Sequence, residues 1–185
     1  GAGTACTETQ SIQPGNSATF ALAAFNPTVP ANASSNCAKV KFIGSARVSA
    51  NSANVPLVGI GNQLLPGING EAYGAFTQAD AGKSVSMPLI MDRNSGFFTG
   101  FNVQNVGASA TNVTCTFQNN GRTVTATLQP GQALNDIQNG QLADKYIGSA
   151  VCTGEAADSL LVAVVNQLKP SNVDNFLVYE GVRLP

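Results

Sequence analysis

A chain of 185 residues, 43% apolar but only 10% charged, can bury a sizeable core and must cover it largely with Asn, Gln, Ser and Thr. Its nine basic and ten acidic residues are scattered singly, without the clusters of Lys and Arg that bind nucleic acid or an anionic membrane surface. The longest apolar run, LLVAVV at 160–165, is too short to span a bilayer. The composition therefore predicts neither nucleic-acid binding nor membrane insertion.

Short β-strands separated by turn residues follow one another along the chain. In chain order the clearest are PLVGIG, SVSMPLIM, GFNVQNVG, NVTCTFQ, RTVTATLQ, GSAVCT, LLVAVVNQL and FLVYEGV. In NVTCTFQ, Val113, Cys115 and Phe117 alternate with polar residues, which is typical of half-buried antiparallel strands. The turn Asn119-Asn120-Gly121 predicts a tight hairpin after this strand, and only Gln138–Lys145 suggests a helical turn. Several short strands with regularly spaced turns predict an all-β sandwich.

Four motifs of the first half of the chain recur in the second half in the same order. QPG at 13–15, FIGSA at 42–46, NQLLP at 62–66 and AYGAF at 72–76 return as QPG at 129–131, YIGSA at 146–150, NQLKP at 166–170 and VYEGV at 178–182. FIGSA and NQLLP recur at the same interval. Ordered matches of this kind indicate duplication of one β unit. We therefore predict a first repeat at 1–82 and a second repeat at 83–185.

The two repeats are unequal at their N-terminal ends. Three predicted strands, SVSMPLIM, GFNVQNVG and NVTCTFQ, precede the QPG turn of the second repeat, whereas only twelve residues precede that of the first. An incomplete sandwich exposes apolar surface and unpaired strand edges unless another segment fills the gap. The filler could be the linker 83–105 or a strand from a neighbouring molecule. The predicted fold is two tandem immunoglobulin-like antiparallel β-sandwiches, the first of them incomplete.

The cysteines and the sequons indicate export from the cell. Four cysteines without CxxC spacing, in a chain without histidine, favour two disulfides in an oxidising compartment over a zinc site. One disulfide per repeat, Cys6–Cys37 and Cys115–Cys152, is the simplest of three pairings, and bonds between chains are the minority alternative. The sequons at Asn32 and Asn112 are candidate glycosylation sites. We therefore predict an extracellular or cell-surface protein.

No catalytic constellation is recognisable in the sequence. The absence of histidine excludes Ser-His-Asp and Cys-His sites. The acidic residues Asp136, Asp144, Glu155 and Asp158 lie in predicted turns without the fixed spacing of an acid pair, so a glycosidase-like site is disfavoured. The sequence predicts no enzyme activity, no metal and no cofactor.

The ordered motifs of the second repeat carry a resemblance to a known family. SMPLIMDRNSGFFTGFNVQNVGASATNVTCTF, LQPGQ, YIGSAVCT and LLVAVVNQ resemble a β-sandwich repeat of bacterial extracellular proteins, over residues 84–182 and in part from Gln13 onward. The resemblance implies surface-exposed structural or adhesive arrays without catalytic residues. The cysteines, the truncated first repeat and the small size depart from the family pattern and suit a small subunit that assembles.

These observations predict a structural subunit of a secreted filament or sheath, assembling by strand addition between identical molecules. The stretch 175–182, with Phe176, Val178 and Val182, is one candidate donor strand, although it can equally be the last strand of its own repeat. The segment Ala5–Ile12 is the rival donor. Gly59 and Gly61 share one face of PLVGIG, where they allow close approach of another backbone or mark a bulge. The alternative is a cell-surface adhesion or carbohydrate-binding module with glycan partners, although the chain lacks tryptophan.

Overall fold

The computed structural model describes residues 8–20, 45–65, 69–169 and 176–185. The chain divides into two compact units, Gly1–Ile43 and Gly44–Pro185. Regular structure in the described ranges is β-strand apart from a single turn of 3-10 helix at Gln78–Asp80. The predicted boundary between residues 82 and 83 separates sequence repeats rather than compact units, and it stays a prediction.

All strands described in the second unit pair in antiparallel fashion and form three sheets. In chain order they are β1 Ile60–Leu65, β2 Asn69–Gly74, β3 Ser84–Asp92, β4 Phe98–Asn105, β5 Thr111–Phe117, β6 Thr123–Leu128, β7 Ala133–Gln138, β8 Tyr146–Gly154, β9 Leu161–Leu168, β10 Phe176–Glu180 and β11 Val182–Arg183. β1 and β2 form a hairpin of their own. The four-stranded sheet has the order β10-β9-β4-β7, and the five-stranded sheet has the order β11-β3-β8-β5-β6.

The two larger sheets enclose one core, which gives the all-β, sandwich-like fold predicted from the strand pattern. Val113, Cys115 and Phe117 of β5 are buried, while the residues between them are exposed, as their alternation predicts. Side chains from both sheets complete the core, among them Val85, Met87, Ile90, Phe101, Val103, Leu128, Ala150, Leu161, Ala163 and Val165. The hairpin predicted at Asn119-Asn120-Gly121 joins β5 to β6, with Asn119 and Gly121 at positive φ.

The disulfide predicted between Cys115 and Cys152 is present. The two residues lie directly opposite each other on β5 and β8 and are fully buried. The bond therefore links neighbouring strands within the five-stranded sheet and does not join the two sheets. The other predicted pair, Cys6 and Cys37, lies outside the described residues, as does the candidate glycosylation site Asn32.

The helical turn predicted around Gln138–Lys145 is wrong. β7 continues to Gln138, and a loop follows in which the N–H groups of residues 140–142 donate to the carboxylate of Asp92 at 2.7–3.0 Å. Asp92 also accepts a hydrogen bond from Nε of Arg93 at 2.8 Å. Burial raises the pKa of Asp92, but these hydrogen bonds outweigh that effect and hold it below its usual value. The loop is fixed by a carboxylate distant in sequence rather than by helical hydrogen bonds.

The linker 83–105 supplies two strands of the second repeat. It forms β3, which pairs with β8 and β11, and β4, which pairs with β7 and β9. Both edges of β4 are therefore occupied, whereas β11 pairs with β3 only at Val85 and Ser86. The suggestion that this linker is shared with the first repeat stays a prediction.

The C-terminal segment crosses from one sheet to the other. β10 pairs with β9 in the four-stranded sheet, and β11 pairs with β3 in the five-stranded sheet. Gly181 stands at the crossing, where a Cβ would lie 2.7 Å from Val85 Cγ2 and 2.8 Å from Ala163 Cβ. Phe176 is buried, Val178 is half-buried and Val182 is exposed. The stretch 176–183 thus pairs within its own chain, as the last strands of its own repeat would.

Candidate assembly surface

Within the second compact unit, the structure describes residues 45–65 and 69–82 of the first repeat, and these include the β1–β2 hairpin. The hairpin is attached to the sandwich at β10, where the Gly74 N–H donates to Glu180 Oε1 at 2.8 Å. Gly59 and Gly61 do permit a close approach, and β2 of the same chain makes it. A Cβ on Gly61 would lie 2.5 Å from Cζ of Tyr73, and one on Gly59 would lie 3.0 Å from Cβ of Ala75. Contact of these glycines with another molecule stays a prediction.

The β1–β2 hairpin has the same register as the β9–β10 hairpin of the second repeat. Gly61 is opposite Tyr73 in the first hairpin, and Val165 is opposite Tyr179 in the second. One residue further on, the Asn-Gln pair at 62–63 begins opposite Ala72, just as the Asn-Gln pair at 166–167 begins opposite Val178. The sequence motifs NQLLP and NQLKP therefore occupy the same positions in two matching hairpins.

The two QPG turns also share their geometry. Gly15 and Gly131 have φ values of 79° and 78°, respectively. The N–H group three residues after the first glutamine closes each turn, from Asn16 to Gln13 O at 3.0 Å and from Gln132 to Gln129 O at 2.9 Å. Proline followed by glycine at positive φ is the signature of a type II turn. The repeated motif thus builds the same local structure twice.

In the second repeat, residues of the repeated motifs form hydrogen bonds to a bulge in β3. The register of β3 against β8 shifts between Met87 and Ile90, which leaves the peptide groups of Leu89 without ladder partners. Tyr179 satisfies both of them: its hydroxyl donates to Leu89 O at 2.5 Å and accepts from Leu89 N at 3.2 Å. Burial raises the pKa of Tyr179 to about 12, although its hydrogen bonds act in the opposite direction. Gln167 Nε2 donates to the same Leu89 oxygen at 2.8 Å.

The same glutamine joins the bulge to β4. Gln167 Oε1 accepts from Thr99 Oγ1 at 2.8 Å, and Thr99 Oγ1 accepts from Met91 N at 2.7 Å. Thr99 and Gln167 are fully buried, so these hydrogen bonds are shielded from water. The motif elements PLIM, TG and NQ therefore meet at one buried hydrogen-bond network. The first repeat retains the counterparts Gln63 and Tyr73, whereas the sequence of residues 1–82 contains neither a PLIM nor a TG motif.

The matching strands β1 and β9 differ most in their pairing and in the exposure of the apolar side chains near their N-terminal ends. β9 lies between β10 and β4, and Leu161 and Val162 are 0% and 4% exposed. β1 pairs with β2 alone among the described strands. Leu57 and Val58, the counterparts of Leu161 and Val162, are 47% and 99% exposed, and Ile60 is 70% exposed. The segment that leads into β1 thus exposes two apolar side chains whose counterparts at the start of β9 are buried.

The acidic residues considered as catalytic candidates each have a partner. Asp136 forms an ion pair with Arg122 at 2.5 and 3.1 Å, and Asp144 lies 3.8 Å from the guanidinium of Arg93. Glu155 accepts from the side-chain amide of Asn112 at 2.7 Å, and Asp158 accepts from Ser109 Oγ at 3.0 Å. Among the described residues, no three acidic or cysteine side chains are placed to hold a metal ion.

Asn112, the second candidate glycosylation site, is exposed on the outer face of β5. Besides the hydrogen bond that Asn112 donates to Glu155, its side-chain oxygen Oδ1 accepts a hydrogen bond from Thr127 Oγ1 at 2.6 Å. A shallow depression of about 220 Å³ lies here, lined by Ala110, Thr111, Asn112, Thr127, Glu155 and Ala156. Within the described ranges no helix has the length and apolar character of a membrane span.

Comparison with known proteins gives little further information. No protein-family model matches the chain, and no curated protein matches it. Among solved structures, the chain is similar to the crystal structure of Thermotoga maritima 1070, with 12% identity and a TM-score of 0.44. The match covers 57% of this chain and 97% of that one. A likeness of this size carries no argument about fold or function.

Proposed function

We propose that the protein is a structural subunit of a secreted extracellular filament or sheath, in which subunits join by strand addition. The observation that carries this proposal is the exposure of Leu57 and Val58, just before β1, and of Ile60 at its start, whereas Leu161 and Val162 at the start of β9 are buried. An apolar strand with an unpaired edge is a template for pairing with another chain. The hairpin is the part of the incomplete repeat that another molecule would cover.

The tandem arrangement is part of the same proposal. The matching hairpin registers and the matching QPG turns support a duplication, with an incomplete immunoglobulin-like sandwich at 1–82 and a complete one at 83–185. β3 and β4 both pair within the sheets of the second repeat. The resemblance to bacterial extracellular repeats is consistent with this arrangement.

An extracellular location is supported by the disulfide between Cys115 and Cys152, because such bonds persist in oxidising compartments. Close packing of many identical subunits is aided by a formal net charge of only −1 at pH 7. A cell-surface adhesion or carbohydrate-binding module remains the alternative. The depression beside Asn112 does not favour it, because its six lining residues include no aromatic side chain on which a sugar ring could stack.

Negative-stain electron microscopy of the purified protein tests the proposal. The protein would be imaged in high salt and after boiling in detergent, and the same samples would be centrifuged to measure the pelleted fraction. Regular filaments that survive both treatments are expected, because inserted strands are held by many backbone hydrogen bonds and buried apolar contacts. Discrete monomers under all conditions, up to high protein concentration, would overturn the proposal. Binding of such monomers to a glycan array would support the alternative instead.

A further inference from the structure

Asparagine followed by glycine is a chemically labile step of a protein chain, because the asparagine can lose its side-chain amide. The sequence contains three such steps, at 69–70, 120–121 and 139–140, and the structure describes the asparagine side chain in the last two. Asn120 lies in the turn between β5 and β6, and Asn139 lies in the loop between β7 and β8. Asn120 is half-buried, whereas Asn139 and both glycines are exposed. Water therefore reaches both steps.

Loss of the amide requires the backbone nitrogen of the glycine. This nitrogen attacks Cγ of the asparagine and forms a bond to it, and the side-chain NH₂ group leaves as ammonia with the proton that the nitrogen gives up. Water then opens the resulting cyclic imide at either carbonyl, which gives aspartate or isoaspartate. Neither step needs an oxidant or a reductant. Glycine favours the attack because it has no Cβ to obstruct the approach of its nitrogen.

The two glycine nitrogens differ in their hydrogen bonds. The Gly140 N–H donates to both carboxylate oxygens of Asp92, at 2.8 and 3.0 Å. Loss of its proton would place a negatively charged nitrogen against a fully buried carboxylate, which raises the barrier to the attack. The Gly121 N–H donates to no group among the described residues, although Asn120 N and Phe117 N both donate hydrogen bonds within the same turn.

We propose that Asn120 deamidates spontaneously in the folded protein, and that the Asp92 carboxylate protects Asn139 from the same reaction. The proposal is independent of the proposed function, because it concerns the chemistry of two loops within a single molecule. A hydrogen bond to a charged group must break before Gly140 can react, which corresponds to a difference in rate of at least about tenfold.

Deamidation changes the turn at the edge of the five-stranded sheet. It adds a negative charge at position 120, and the isoaspartate product also lengthens the backbone of the turn by a CH₂ group. The Phe117 N–H closes this turn by donating to Arg122 O at 3.2 Å, and β6 pairs only with β5 among the described strands. We therefore expect the amide hydrogen of Phe117 to exchange faster in the isoaspartate form.

Peptide mapping by mass spectrometry tests the proposal. The unmodified protein would be kept at mildly alkaline pH, in the folded state and unfolded in guanidinium chloride, and the deamidated fraction at each step would be followed with time. In the folded protein, Asn120 should react at least about tenfold faster than Asn139. In the unfolded protein the two rates should become similar, because the hydrogen bonds to Asp92 are lost.

Asp92→Ala is the direct test of the protection. Alanine removes both acceptors of the Gly140 N–H, so deamidation at Asn139 should become at least about tenfold faster, while the rate at Asn120 stays unchanged. Asp144→Ala is the matched control, because Asp144 is an exposed carboxylate in the same loop, and it should leave both rates unchanged. Circular dichroism would establish that each variant is folded. If Asp92→Ala does not fold, the comparison of the folded and unfolded protein decides.

Several results would overturn the proposal. Equal rates at both steps in the folded protein, or an unchanged rate at Asn139 in folded Asp92→Ala, would show that the carboxylate gives no protection. A difference between the steps that persisted after unfolding would show that the flanking sequence sets the two rates. An unreactive Asn120 in the folded protein, over a time in which the unfolded protein reacts fully, would show that the turn itself prevents the attack.

Discussion

Replacement of Asp92 by asparagine tests how the sandwich holds the loop between β7 and β8. The carboxylate is fully buried and receives hydrogen bonds from three consecutive backbone N–H groups, at 140–142, and from Nε of Arg93. The asparagine side chain would keep the size of the aspartate and one acceptor oxygen. If that oxygen takes the place of Oδ2, it keeps the three backbone N–H groups and only the bond from Arg93 Nε is lost. If it takes the place of Oδ1, the N–H groups of residues 141 and 142 face the amide group, which is itself a donor. At least one of the four hydrogen bonds would therefore be lost, together with the negative charge that strengthens the others.

The magnitude follows from the number of donors left without an acceptor. A buried N–H group without a partner costs about 1–3 kcal/mol, so the loss of at least one acceptor lowers the free energy of unfolding by at least about 1–3 kcal/mol. This is a large part of the total of about 5–15 kcal/mol that is usual for a domain. Asp144→Asn is the control, because Asp144 is exposed and lies 3.8 Å from Arg93. Its effect should stay within about 0.5 kcal/mol.

Urea unfolding followed by circular dichroism at several pH values measures the effect. The folded state lowers the pKa of Asp92, so its contribution to stability is present above the ordinary pKa of a carboxyl and is lost as the pH falls below it. The difference between the unmodified protein and Asp92→Asn should therefore be greatest near neutral pH and narrow below about pH 4. A difference under about 1 kcal/mol at pH 7 would refute the assigned role of the carboxylate.

Two further predictions concern the network around the β3 bulge. Gln167→Leu keeps the volume of the side chain but removes the donor to Leu89 O and the acceptor for Thr99. Urea unfolding should show that the free energy of unfolding falls by about 2–4 kcal/mol. For the control Gln141→Leu, at an exposed position, it should fall by less than about 0.5 kcal/mol. An unchanged midpoint would contradict the network. Tyr179 has a folded-state pKa of about 12, above its usual value near 10, so its neutral hydroxyl stabilises the fold below pH 10 and this contribution disappears as the pH rises toward 12. Tyr179→Phe should lack this loss of stability at alkaline pH. If the stability of the unmodified protein and that of Tyr179→Phe depended on pH in the same way, the stabilising role of the neutral hydroxyl would be refuted.

The strands were predictable from the sequence because their signal is local. The alternation of Val113, Cys115 and Phe117 with polar residues and the turn at 119–121 determine β5, its buried face and its hairpin. The pairing of Cys115 with Cys152 also follows from the assignment of both residues to strands of one repeat. The duplication identified NQLLP and NQLKP as counterparts, and the structure places them at the same positions of two matching hairpins.

Contacts between residues distant in sequence were not predictable. The loop after β7 looked helical because nothing near it reveals that Asp92, on another strand, accepts its N–H groups. The role of Gln167 was missed for the same reason, since its partner Leu89 lies in a bulge. Pro88 was the available signal, because proline inside a strand often marks a bulge or an edge. The exposure of Val58 could be learned only from the structure, because the alignment of the two repeats shows which residues correspond but not which of them are buried.

The path of the C-terminal segment determines how the sandwich responds to tension. The disulfide between Cys115 and Cys152 resists separation only of two strands in the same sheet. Two backbone connections oppose sliding of one sheet across the other: the crossing at Gly181, which is bonded to β9 on one side and to β3 on the other, and the bridge between Gly82 and Leu161. A shearing force on the sheets would load the hydrogen bonds at both places. The first of them requires a glycine, because any larger residue at 181 would displace Val85 or Ala163.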